Sequence, residues 1–247
     1  MGLKFTQSPV KKEDLPSDKN EIIKFSELMT EDVEKKWKKG KLYKFQGKKD
    51  RKFQVQTYST TKGTDFWLSR VSKHKIDTAL YDKVVYYLNG SERTEDNQWS
   101  MKDRTKRSKL EKEYIEVLDK VDIIEKLENG WNLVHIEYDL GKPLTIRDFN
   151  EWVYPVEPYT NDQGKEVSMI ISLNAGHLDK SLTTNHTPAY YVSVEKLEYD
   201  YNTNELLWLM VTTNDAGGNV PKWLQNATIA KTVSKDVPFL FDYIESH

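Results

Sequence analysis

The stretch at residues 205–213, ELLWLMVTT, limits this chain more than any other. Read as a strand, it sends side chains alternately to two faces. Both faces are apolar, with Leu206, Trp208 and Met210 on one and Leu207, Leu209 and Val211 on the other. A strand of that kind needs a cover on each side. The chain offers one at each end. Near the start, DKNEIIKFSELM carries Ile22, Ile23, Phe25, Leu28 and Met29 at helical spacing, with Ser17 as the expected N-cap. At the other end, VPKWLQNATIAKTVSKDVPFLFDYI repeats Trp223, Ala227, Ala230, Val233, Val237, Leu240 and Ile244 every three or four residues. This is the apolar stripe of a long helix. Pro221 suits its first turn, and Pro238 predicts a kink or break near Val237. The second cover is this helix, or else the strand lines a cavity.

The remaining elements follow from local patterns. A second short helix is expected in TEDVEKKWKK, acidic at its start and basic at its end. KFQVQTYS and DFWLSRVSK read as two strands joined through Gly63. DTALYDKVVYYL and SKLEKEYIEVLDK read as helices, the latter through Leu110, Tyr114, Val117 and Leu118. Asn129-Gly130 sits between two strand-like runs and favours the φ > 0 turn of a hairpin. Strands are expected at 147–156, 167–174, 190–199 and 205–213. The fold class is therefore α+β, with a polar arm over residues 1–16 and a single domain over 17–247.

Composition removes several function classes. The 247 residues are 37% hydrophobic and 12% aromatic, too apolar for a disordered chain. There is no Cys, so disulfides, thiolate metal sites and a catalytic Cys are excluded. The net charge of -2 does not point to nucleic acid. No run approaches the roughly 20 apolar residues of a membrane span. A soluble, cytoplasmic, monomeric chain is expected. Met1-Gly2-Leu3-Lys4-Phe5-Thr6 fits the short myristoylation pattern. Ten Lys or Arg and one Asp fall in residues 35–52, with Trp37, Tyr43 and Phe45 interleaved. Lys35, Lys36, Lys38, Lys39, Lys41, Lys48 and Lys49 are candidate contacts to an anionic membrane surface. The alternative is a solvated sheet edge that lysines keep from aggregating.

Two passages carry a family resemblance. GKPLTIRDFNEWVY resembles the Arg-Asp-Phe strand of START domains, the steroidogenic-acute-regulatory-related lipid-transfer family. TTNDAGGNVPKWLQN resembles that family's turn from the last strand into its C-terminal helix, although DAGGN replaces the more usual acidic-Pro-Gly-Gly-aromatic turn. The resemblance is strongest over residues 50–245 and is similar to a fungal START-like group of unassigned function. It implies a helix-grip fold: a curved antiparallel sheet around the C-terminal helix, with a hydrophobic tunnel between them. It also implies one bound lipid, a sterol, phospholipid, sphingolipid or other isoprenoid, and no cofactor. No residue set singles out a lipid subclass.

On this reading Arg147, Phe149, Trp152, Tyr154, His135, Trp208, Met210, Trp223, Leu224 and Ala227 are the cavity and lid candidates. The C-terminal helix and the loops at 159–165 and 176–188 are the expected lid. Arg147 and Asp148 are adjacent on a strand and point to opposite faces, so only one reaches the cavity. Asp148 is expected in a structural ion pair, because a buried carboxylate needs fixed partners. His135 and Glu137 share a face and form the one plausible acid–base pair, with no third group in view. His177, His186 and Asp179 fall short of a zinc site. G-x-S-x-G, Walker, G-x-G-x-x-G and H-E-x-x-H motifs are all missing. The expectation is a non-catalytic lipid carrier. Its rivals are a helix-grip enzyme acting on a polyketide or steroid-like substrate through His135 and Glu137, and a lipid-sensing regulatory module.

Overall fold

A computed structural model describes residues 5–139, 141, 145–177, 186–218 and 222–247, with backbone alone at 222–224 and 227. Helix α1 spans Lys19–Thr30. Its cap is Asp18, one residue after the expected Ser17, and the Asp18 carboxylate accepts from the Asn20 and Glu21 backbone. Helix α2 is only Val33–Lys36, because the chain becomes extended at Trp37. Strands β1 (Lys38–Gln46), β2 (Lys52–Lys62) and β3 (Asp65–Lys75) follow. Gly63 turns the second hairpin with φ 61. Helix α3 (Thr78–Asn89) is capped by Asp77 and stopped by Gly90 in the left-handed region. Strands β4 (Glu92–Arg93) and β5 (Trp99–Ser100) form a small separate hairpin.

Helix α4 covers Lys106–Tyr114 and ends earlier than its apolar spacing suggests. Ile115 takes extended dihedrals, and Leu118 opens β6 (Leu118–Lys126) instead of closing a helical stripe. The turn at Gly130, φ 95, leads into β7 (Asn132–Tyr138). The chain continues through β8 (Arg147–Thr160), β9 (Glu166–Asn174), β10 (Thr187–Pro188), β11 (Tyr190–Asp200) and β12 (Glu205–Asp215). Helix α5 (Lys222–Ile244) closes the molecule. It runs through Pro238 as one helix, without the expected break.

Among the described residues, ten strands make one sheet in the order β1-β2-β3-β12-β11-β9-β8-β7-β6, with β10 parallel to β8. Strand β12 is therefore central, as its two apolar faces require. The inner face packs on α3, α4 and α5, with Val55, Val134, Val153, Leu197, Trp208 and Phe241 in one apolar cluster. The outer face packs on α1 and the N-terminal segment, with Ile22, Trp67, Trp131, Trp152, Met169 and Leu209 in another. The N-terminal segment is strapped down by main-chain acceptors. Trp152 Nε1 donates to the Val10 carbonyl at 3.0 Å, and Trp131 Nε1 donates to the Pro16 carbonyl at 2.8 Å.

The joint between β12 and α5 rests on Gly217 and Gly218, both with positive φ. A Cβ on Gly217 would fall 2.1 Å from the Pro188 carbonyl, whereas on Gly218 its nearest neighbour is the Thr187 methyl at 3.5 Å. Asn219, Val220 and Pro221 lie outside the described residues. The expected outcome is an asymmetric pair of variants. Both Gly217→Ala and Gly218→Ala bear the left-handed penalty of about 1–2 kcal/mol. Gly217→Ala must also displace Pro188, so it destabilises clearly more in urea denaturation. Equal losses in the two variants would contradict the close approach.

Candidate functional site

Alternation along each strand decides which residues face the space between the sheet and α5. On β8 the inward set is Arg147, Phe149, Glu151 and Val153; on β12 it is Leu206, Trp208, Met210 and Thr212. Leu68, Met210 and Val233 form a small apolar cluster there, with Phe66, Tyr191, Ile229 and Ala230 against it. Phe149 meets Tyr138 edge-on at 5.5 Å and Tyr191 at 6.4 Å. Among the sequence candidates, Phe149, Trp208 and Met210 thus face this space. Arg147 lies at its rim, where its guanidinium donates to the Thr145 carbonyl at 2.6 Å. The side chains of Trp223, Leu224 and Ala227 lie outside the described residues.

The depth of this space is polar, not simply apolar. Arg70, Met210 and Glu195 stand opposite one another across three neighbouring strands. Arg70 forms a buried salt bridge to Glu195 and stacks 4.5 Å from the Trp208 ring centroid. Trp208 Nε1 donates to the same Glu195 carboxylate at 2.8 Å. From α4, Arg107 lies 4.0 Å from Glu195 and pairs with Glu111 at 3.0 Å. Glu151 from β8 and Asp236 from α5 complete the cluster.

Burial is the main cause of the unusual acidities. It pushes Glu151 up to about 8, and the nearby Glu111 charge adds to the effect. It also pushes Asp236 up to about 8 against the field of Arg70. Glu111 is raised as well, by burial first and then by Glu195, against Arg107. Burial opposes the Arg107 charge, yet Glu111 and its neighbours more than hold it.

Two observations bear on the space between the sheet and α5, the chamber. Glu111, Tyr138, Tyr191 and Asp236 on its walls are half-buried and not fully closed off by packing. In addition, Arg70 Nε and Nη1 and the hydroxyls of Ser108 and Tyr114 are buried without a hydrogen-bond partner. Each such group costs about 1–3 kcal/mol unless something inside the chamber pairs with it.

Sequence reasoning did not find Arg70, Arg107, Glu111, Glu151, Glu195 or Asp236. The signal exists for three of them. Arg70 in FWLSRVS, Glu151 in DFNEWVY and Glu195 in YVSVEKL are charges at core-phase positions of otherwise apolar strands.

Other sequence candidates point away from the chamber. Trp152 and Tyr154 alternate with Glu151 and Val153, so they belong to the outer cluster. Trp152 packs under the N-terminal segment and Tyr154 against Trp131 and Arg104, so neither is chamber wall. His135 is also on the outer face, between Asn150 at 2.9 Å and Glu137 at 3.2 Å. Asp148 pairs there with His186 at 2.7 Å. Lys38, Lys39 and Lys41 are exposed on β1, at one end of the sheet path, where lysines blunt an open edge. Lys35 and Lys36 bridge to Asp32, and exposed Lys48 and Lys49 lie in the turn after β1. An open outer groove of about 750 Å³ runs beneath α1, past Leu207 and Leu209. Its wall carries Lys196 bridged to Glu27 and Glu198 at 2.9 and 3.4 Å, which suits water better than lipid. Among the described residues, no helix is long and apolar enough to cross a membrane.

Residues 67–244 match the family described as "Protein of unknown function (DUF3074)". No curated protein matches by sequence. The crystal structure of human STARD10 superposes with a TM-score of 0.62 at 14% identity, covering 93% of this chain and 80% of that one. Human StAR-related lipid transfer protein 5 gives 0.59 at 11% identity, covering 93% and 99%. The lipid transfer and protein localization domain of human StarD13 (DLC2) gives 0.55 at 12%, covering 89% and 95%. At such identities the likeness shows the fold, which is the START helix-grip fold.

The raised acidities set a pH dependence. Glu151 and Asp236 hold their protons more tightly folded than unfolded, so they stabilise the fold fully below about pH 4. That contribution drains away as pH rises through about 8. Wild-type Tm should fall between about pH 5 and pH 9. Asp236→Asn and Glu151→Gln, which copy the protonated forms, should each flatten the fall. Parallel Tm profiles in all three proteins would contradict the assignment.

Proposed function

We propose that this chain, which belongs to the family described as "Protein of unknown function (DUF3074)", binds one amphipathic lipid in the chamber and carries it between membranes. The observation that carries the reading is the set of orphaned donors at the chamber's depth: Arg70 Nε and Nη1, Ser108 Oγ and Tyr114 Oη. They call for an acceptor-bearing group, such as the hydroxyl of a sterol or the oxygens of a phospholipid headgroup. Phe66, Leu68, Met210, Ile229 and Val233 offer the apolar wall that such a molecule's body requires. Burying that body is worth about 0.8 kcal/mol per CH₂, so the protein replaces the bilayer as solvent. Two structural neighbours, a lipid transfer protein and a lipid transfer domain, support the same reading. Acid–base catalysis by His135 and Glu137 gains no support, because that pair lies across the sheet from the chamber.

The test is transfer of a fluorescent sterol and a fluorescent phospholipid between vesicles, with wild type and Val233→Trp. Val233 is buried beside Leu68 and Met210, so an indole there fills the chamber. In a tightly packed core such overpacking costs typically 1–3 kcal/mol. Beside an open chamber the loss of Tm should be small, while transfer falls to the protein-free rate. Anionic acceptor vesicles should speed wild-type transfer if the exposed lysines of residues 35–52 meet the membrane. Undiminished transfer by a folded Val233→Trp protein, or no transfer of any lipid by wild type, would contradict the proposal.

A further inference from the structure

We infer that His135, Glu137, Asp148 and His186 bind one divalent transition-metal ion on the outer face of the sheet. Glu137 on β7 and Asp148 on β8 are direct cross-strand partners, and both are buried. Like charges directly opposite one another destabilise a sheet. Sheltered from water, they require a compensating cation. Lys120 serves only in part: its Nζ is 3.4 Å from Glu137 Oε1, half exposed and shared with Asp122. Asp148 Oδ2 has no hydrogen-bond partner, although the side chain is only 2% exposed.

The imidazoles are oriented as ligands. His135 Nδ1 is 2.9 Å from Asn150 Oδ1. The Asn150 amide nitrogen donates to the Gly176 carbonyl at 3.1 Å, which fixes its oxygen toward His135. Nδ1 therefore carries the proton, and Nε2 turns its lone pair toward Glu137 Oε1 at 3.2 Å. Two acceptors face each other unless a cation lies between them. A carbonyl holding the far nitrogen is the arrangement that orients a metal-binding histidine. His186 Nδ1 enters from the other side, 2.7 Å from Asp148 Oδ1 and 3.9 Å from Glu137 Oε2. Ligand atoms of His135, Glu137 and Asp148 all lie within 4.8 Å of one another.

Two imidazoles and two carboxylates suit zinc or a similar first-row ion better than calcium or magnesium, which prefer all-oxygen sets. Tetrahedral ligands at about 2.0–2.1 Å from zinc lie about 3.4 Å apart, so binding would open the 2.7 Å His186–Asp148 contact, slightly widen the 3.2 Å His135–Glu137 contact and close the 3.9 Å His186–Glu137 gap. The ion would also tie down a structural joint. His186 directly precedes β10, and the Pro188 carbonyl of β10 is the group against which Gly217 packs at the start of the turn into α5.

The experiment uses the untagged full chain, stripped by chelator and then dialysed against zinc, with bound metal measured by mass spectrometry. One zinc per chain and a raised Tm are expected. Asp148→Asn keeps shape, relieves the opposed charges and should fold, yet lose stoichiometric zinc. Asn150→Ala frees the His135 ring and should weaken affinity about 10–100-fold. Lys120→Met leaves every ligand atom in place, removes the competing ammonium and should tighten binding. His177→Gln, whose ring instead meets Tyr190, should change nothing. Failure of wild type to retain zinc overturns the inference, and so does equal retention by Asp148→Asn. So does an NMR spectrum in which both His135 nitrogens keep their protons with zinc present, since imidazolium pairing then replaces the ion.

Discussion

Strand β12 is apolar on both faces, and the molecule is arranged around that fact. Its inward residues Leu206, Trp208 and Met210 require α5 and its neighbours; its outward residues Leu209 and Val211 require α1 and the N-terminal segment. The central place of β12 in the sheet follows, because only a strand with partners on both edges and covers on both faces satisfies its backbone and its side chains together. The glycine joint follows as well. A chain leaving a central strand for a helix across the same sheet must reverse in a few residues, and Gly217 does so pressed against Pro188.

The inner face is not packed as the outer one is. Outside, Trp131 and Trp152 meet main-chain carbonyls of the N-terminal segment. Inside, Arg70 meets Glu195 and Trp208 and still has two nitrogens unpaired. Removing either partner of a buried ion pair typically costs several kcal/mol. A chain that needed only stability would gain from apolar residues at these positions. On the proposed function, charges kept at this depth meet the polar end of the bound molecule.

Much of the fold was legible. Strand-like runs located β8, β9, β11 and β12, and the Arg-Asp-Phe strand together with the Asp-Ala-Gly-Gly turn and its following helix carried the family likeness. Alternation also separated Arg147 from Asp148 correctly. It could not say which phase of β8 faced inward, because Trp152 and Tyr154 are as apolar as Phe149 and Val153. Only the register against β7 and β9 decides that. The charged depth was hidden for a related reason. Arg70, Arg107, Glu195 and Asp236 come from four elements far apart in sequence; Arg70 and Glu195 stand at core-phase positions of apolar strands, but Arg107 and Asp236 look like ordinary surface charges, and nothing in the sequence brings the four together. His135 and His186 are likewise joined only when β10 is laid beside β8.

On the proposed function, the chamber holds an amphipathic molecule with its polar end at Arg70. Native mass spectrometry of the purified chain, followed by lipid extraction, tests it most directly. A single mass increment per chain that releases one class of amphipath is expected, and its loss in Arg70→Met with the fold retained. An unliganded mass together with no uptake from a broad lipid panel, or a retained lipid in Arg70→Met, would contradict it.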